Sequence, residues 1–249
     1  MLISFLLHLL PSGGPWWLSI GNGLTGTSLG FLVTALFLKV EKKSFRDVGL
    51  VWTRGTLARF FTGVVIAGII FTLMLGALLV FTALQITRRG YAVDYVGAFL
   101  IFLPLVPLAW MEELAFRGYT FRRLDEGLSL WPAQVITAVA FAVYHVLGDW
   151  TWTGAFVGPF VWSFVFGLAA FYTRGIAMPL GIHLTLNIAQ RLTGMNKTDA
   201  SLWELSYPPE ATQTLITHTD DVGLGLHILV FAIAVIVTVV TQNSRLKLN

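Results

Sequence analysis

The chain has 249 residues, 56% of them hydrophobic and only 12% charged, with a formal net charge of +3 and no cysteine. A soluble domain carries about 25% charged residues, so this composition excludes an ordinary soluble fold, and apolar runs that are continuous rather than alternating exclude a membrane β-barrel. Without cysteine there are no disulfides, no thiolate catalysis and no Cys-ligated metal, and the small positive charge is what Lys and Arg in cytoplasmic loops produce, not the footprint of a nucleic-acid partner. The expected architecture is all-α: a polytopic transmembrane helical bundle of six to eight spans, one integral membrane domain over residues 1–249, embedded in the lipid bilayer.

Residues 1–10, MLISFLLHLL, are apolar but short and stop at Pro11 and Gly13–Gly14. No basic segment precedes them and no A-x-A site follows, so they read as a partial span rather than a cleaved signal peptide. A full span is predicted over 16–40, with Trp16 and Trp17 at the interface. The loop 41–59 is the most basic stretch, with Lys42, Lys43, Arg46, Arg54 and Arg59. It is assigned to the cytoplasm, its apolar positions resting on the membrane surface as an amphipathic segment. A second span covers 60–86 and is closed by Arg88–Arg89 on the opposite side.

Residues 95–126 are expected to form one long helix kinked by Pro104 and Pro107. About 48 Å of helix exceeds the ~30 Å hydrocarbon core, so its polar end, Arg122, Arg123, Asp125 and Glu126, is placed in the cytoplasm. Gly127–Ser129 turn the chain into a span over 131–147. The segment 148–160 holds Gly148, Gly154, Gly158 and Pro159, too many for a comfortable helix interior. A span to Phe171, a tight turn at Arg174–Gly175 and a membrane helix over 178–193 follow. The loop 194–221 is acidic and assigned to the outer face; its Asn196-Lys197-Thr198 is a sequon too common to weigh. The last span is 222–241, with Arg245 and Lys247 inside.

Polar groups inside this apolar frame are few: Glu112, Glu113 and Arg117, then Tyr144 and His145, then His183, Asn187 and Gln190. An ionised carboxylate in hydrocarbon is costly unless paired or hydrated, and two adjacent ones require a reason. Arg117 lies four residues after Glu113 and so shares its helix face, while Glu112 is turned roughly 100° away. The spacing therefore divides the pair into a structural carboxylate and one available for chemistry. Glu112 and His145 stand at nearly equal distances from the turn near residue 128, so a helical hairpin sets them at similar height. His183 and Asn187 are four apart and face the same way. Taken singly, each has an ordinary structural explanation: an ion pair, an interfacial His, inter-helix hydrogen bonds. Together they supply a base, a second proton handler and two donors, the parts needed for water-driven acyl hydrolysis. The set also contains a His₂Glu combination, Glu112, His145 and His183, which is a zinc ligand type.

E-E-x-x-x-R at Glu112, Glu113 and Arg117, F-x-x-x-H at Phe141 and His145, and H-x-x-x-N at His183 and Asn187 occur in that order. This resembles the CPBP family of CAAX prenyl endopeptidases and bacteriocin-processing or immunity proteins, also called Abi, with residues 100–191 as the motif-bearing core. The resemblance implies a glutamate-dependent intramembrane endopeptidase, integral to the cell membrane of a prokaryote. By it, Glu112 and His145 activate the attacking water, His183 and Asn187 hold the oxyanion, and Glu113 and Arg117 support the site. No cofactor is implied, with zinc on Glu112, His145 and His183 as the alternative. The partners it implies are peptide or protein substrates at the membrane, prenylated or leader-bearing. Two other functions fit the same cluster: a binding or immunity protein that recognises a peptide without cutting it, and a proton-coupled transporter, which the lack of an internal repeat disfavours.

Overall fold

The computed structural model describes residues 16–89, 99–100, 102–195 and 201–247; the apolar run 1–10 and the triplet at 196–198 lie outside them. The chain is a helical bundle. Among the described residues its helices are α1 (Trp16–Val40), α2 (Thr56–Phe81), α3 (Leu105–Arg117), α4 (Tyr119–Leu128), α5 (Leu130–Val146), α6 (Trp152–Val157), α7 (Pro159–Thr173), α8 (Ala177–Leu192) and α9 (Gln213–Leu246). Four stretches are helical, long and apolar enough to cross a membrane, Trp17–Val40, Thr56–Phe81, Trp152–Thr173 and Gln213–Leu246, while Leu130–Val146 is a shorter apolar helix.

Small residues set the helix contacts, as expected where lipid removes the usual apolar driving force. On α1, Gly23 lies against the backbone of Pro107 and Leu108, and Gly30 against Leu114. Between α2 and α8 the approach is reciprocal: a Cβ on Gly63 would strike Met178 O and one on Gly181 would strike Phe60 O. Helix α7 is the most enclosed, burying Val161, Trp162, Ser163, Phe164, Phe166, Gly167, Ala169 and Ala170. Phe141, Trp162, Phe166, Ile182 and Leu186 form one core cluster around the site helices. Helix α9 is tied on by polar contacts as well as by Phe231. Gln134 Nε2 donates to Phe164 O at 3.0 Å and to Thr238 Oγ1 at 3.3 Å, Leu130 N to Gln242 Oε1 at 3.0 Å, and Arg245 pairs with Asp125 at 2.6 Å.

The basic loop and α4 meet at one end of the bundle. Lys43 pairs with Glu126 at 2.9 Å and Arg123 with Glu41 at 3.0 Å, while Tyr119 donates to Glu41 at 2.8 Å. Both segments were assigned to the cytoplasm from charge, and the structure places them together.

Several expected boundaries are corrected. The stretch 95–126 is not one helix. It breaks at Gly118, whose ψ of −118° ends α3 and starts α4, and where a Cβ would crowd Leu114 O. The second span ends at Phe81, not residue 86: Thr82 is extended and its hydroxyl caps Leu78 O at 2.6 Å. Gln85–Arg88 is then a strand, β1, pairing antiparallel with β2 (Trp203–Ser206) inside the supposed outer loop. The last helix begins at Gln213 rather than 222. The loop through residues 41–55 forms turns, and Val48 within it is buried.

Candidate active site

The Glu pair sits on the last turns of α3, where Pro104 starts the helix and the bare edge of Gly118 stops it. Glu113 is fully buried and Arg117 nearly so, at 0% and 1% exposure. Their closest approach, Arg117 Nε to Glu113 Oε2, is 3.7 Å, an ion pair without a hydrogen bond. Arg117 gains its remaining support elsewhere. Its Nη2 donates to Ser163 Oγ of α7 at 2.8 Å, and the guanidinium lies 4.2 Å from the Phe141 ring centre and 5.0 Å from that of Phe166. Such cation–π contacts partly replace lost hydration for a desolvated cation.

His183 of α8 is the junction of the cluster. Its Nδ1 is 2.7 Å from Glu113 Oε1. Since a carboxylate beside Arg117 can only accept, the proton of that bond belongs to Nδ1. Nε2 then faces Glu112, whose Oε2 is 3.6 Å away, too far for a direct hydrogen bond. The imidazole stacks on Phe166 at 4.9 Å and an angle of 15°. Glu112 is less enclosed than its neighbour, yet its Oε2 atom is itself buried and has no hydrogen-bond partner among the described residues. Glu113 bonds His183 and pairs with Arg117, Glu112 faces the other nitrogen of His183, and the Oε2 atoms of both carboxylates are buried without a hydrogen bond.

His145 closes α5. Its Nδ1 is 2.8 Å from Phe141 O, and a carbonyl accepts only, so here too Nδ1 carries the proton and Nε2 is left as the acceptor of a neutral ring. A simple zigzag through the membrane sets His145 and His183 at different depths, and two features reconcile them. The segment 148–160 is broken, as its composition predicts: a turn with Asp149 at φ 68°, the short α6, and Gly158 with ψ −91° before Pro159 opens α7. The side chain of His145 also doubles back along its own helix, so that the Phe141 ring lies 4.5 Å from His145 and 6.2 Å from His183. Phe116 packs on both Phe141 and Tyr144, at 5.0 and 5.6 Å, which joins α3 to α5 at this level. Asn187 is half-buried one turn beyond His183.

Ser163, Phe141 and Phe166 are the site residues that motif reasoning either missed or used only as spacing. Ser163 was signalled by being the one polar residue in the apolar run PFVWSFVF. The aromatic walls carry no such mark, because in an apolar helix every Phe looks like core. The zinc alternative is less well served. Among the described residues, no three His, Asp or Glu side chains converge closely enough to hold a metal ion, so Glu112, His145 and His183 do not fit zinc in this arrangement.

The model of one protein family, described as type II CAAX prenyl endopeptidase Rce1-like, matches residues 92–189. That segment holds α3 through α7 and most of α8, and with them every residue of the cluster. No curated protein is significantly similar to the chain.

Proposed function

We propose, from the premise that residues 92–189 are an Rce1-like domain of the CAAX-protease family, that this integral membrane protein is an endopeptidase that cuts peptide bonds with water activated by Glu112. The observation that carries the reading is the placement of the two carboxylates around His183: Glu113 accepts its Nδ1 hydrogen bond and pairs with Arg117, and Glu112 Oε2 is buried without a hydrogen bond, 3.6 Å from His183 Nε2. A buried acceptor with no donor is the group that binds and deprotonates a water.

In this mechanism Glu112 takes the proton of the attacking water. His145, neutral with Nε2 as acceptor, shares that proton and passes it to the leaving amine. His183, held by Glu113 at Nδ1, presents Nε2 to the attacked carbonyl, where it and the Asn187 amide hold the oxyanion. Arg117, fixed by Ser163 and the two Phe rings, pairs with Glu113 and supports its place in the site. No step requires a metal. The substrate class is a peptide or protein segment at the membrane, and S-prenylated C-terminal peptides are the first to try because of the family matched.

The test is cleavage of a broad peptide library and of S-prenylated C-terminal peptides by protein in detergent, read by mass spectrometry, with wild type, Glu112→Gln and Glu112→Ala compared. Loss of about a thousandfold or more in both variants, at unchanged thermal stability and unaffected by a chelator, is the expected result. Cleavage that persists in Glu112→Gln would overturn the assignment. Activity removed by chelator and restored by zinc would replace it with a metal mechanism.

A further inference from the structure

We propose that Trp150 is a specificity-determining residue: an immobilised, half-exposed indole against His145 that receives the large apolar side chain of the substrate residue beside the scissile bond. The inference rests on the proposed endopeptidase reading and names the kind of residue that reaction would select.

The placement of Trp150 is built by the backbone. Asp149 N donates to Val146 O at 3.2 Å and Trp150 N to His145 O at 3.1 Å. This pair of bonds, with a left-handed residue between helix and exit, is the Schellman ending, in which the residue after the left-handed one packs on the residue five before it. The left-handed position is usually glycine; here it is Asp149, with φ 68°. The residue delivered onto the helix is Trp150, and the residue it meets is His145, with ring centres 5.3 Å apart and planes at 86°.

The indole is seated on α6 as well. A Cβ on Gly154 would lie 3.7 Å from Trp150 Cε3 and one on Gly158 3.8 Å from Cζ3. These two bare positions, four apart on α6 and at its end, form a flat bed for the ring, and Thr151 fixes the start of α6 by accepting from Gly154 N at 3.0 Å. An indole held by its backbone, by His145 and by a glycine face is nevertheless 49% exposed. An aromatic surface already ordered before binding loses little freedom when a ligand covers it. Because it touches the imidazole that handles the proton at the attacked bond, and one extended residue spans roughly 3.5 Å, the side chain it can reach belongs to a residue adjoining that bond. Phe141 and Tyr144 pack on His145, at 4.5 and 5.4 Å, and keep its surroundings apolar.

The experiment uses two S-farnesylated peptides, one ending cysteine-valine-leucine-serine and one with serine in place of valine and leucine. Binding to Glu112→Gln protein in detergent is measured by thermophoresis, so the result does not depend on turnover. Cleavage kinetics in the Glu112 background run beside it, and melting curves report folding. With Trp150 intact the valine-leucine peptide is expected to bind at least tenfold more tightly than the serine peptide. Trp150→Ala should remove that preference by weakening the apolar peptide alone, and Trp150→Phe should restore most of it. In cleavage the loss should fall on KM more than on kcat. Equal weakening of both peptides, a preference that survives Trp150→Ala, or no binding of either peptide would overturn the proposal. Tight, Trp150-dependent binding without cleavage by wild type would instead leave this subsite standing and refute the endopeptidase reading.

Discussion

Replacing Arg117 with leucine removes the guanidinium paired with Glu113, a carboxylate completely shielded from solvent. Breaking a buried ion pair from one side leaves an uncompensated charge and costs about 3–5 kcal/mol. The same change abandons the hydrogen bond to Ser163 and the contacts over Phe141 and Phe166, although the leucine refills part of the volume. For a chain of this size about 1 kcal/mol corresponds to roughly 2–4 °C in Tm, so a fall of about 6–20 °C is expected, read by intrinsic fluorescence or dye melting in detergent. The double variant Glu113→Leu with Arg117→Leu has no charge left to strand. It should regain most of the lost stability while losing cleavage, because His183 then has no carboxylate at Nδ1. A double-mutant cycle with strictly additive losses, or a single-variant fall of under about 2 °C, would refute the view that these groups form one coupled unit.

Gly167→Ala should destabilise the bundle by about 1–3 kcal/mol through overpacking, since its Cβ would overlap Gln134 Oε1 and push that side chain off Phe164 O and Thr238; adding Gln134→Ala should recover part of the loss in the same melting assay. Asp149→Gly relieves a left-handed non-glycine residue and should raise Tm by a few degrees, on the order of 0.5–1 kcal/mol, while leaving the Trp150 subsite in place. Asp47 accepts from the backbone N–H and the hydroxyl of Ser44, and these bonds hold its carboxyl below the ordinary aspartate range. Its contribution is therefore complete above that range and disappears as pH falls through the lowered value, so the Tm difference between wild type and Asp47→Asn should be present at neutral pH and close in acid.

The sequence by itself determined that the chain is a membrane-embedded helical bundle, because composition and long apolar runs leave no soluble alternative. It also determined which polar residues are out of place. Charges and imidazoles are conspicuous in an apolar background, so Glu112, Glu113, Arg117, His145 and His183 could be named from their chemistry and helical spacing alone, down to the pairing of Glu113 with Arg117. Helix ends were less legible where the signal is steric. The break at Gly118 and the short ribbon of Gln85–Arg88 with Trp203–Ser206 depend on contacts between residues distant in sequence, which no local pattern records. The site's internal wiring belonged to the tertiary structure for the same reason. That His183 bonds Glu113 through Nδ1, that Ser163 anchors Arg117, and that Phe166 touches both the guanidinium and the imidazole all require α3, α7 and α8 to be brought together. Distances across helices are set by side-chain packing in three dimensions, and spacing along one helix constrains only which face a residue occupies.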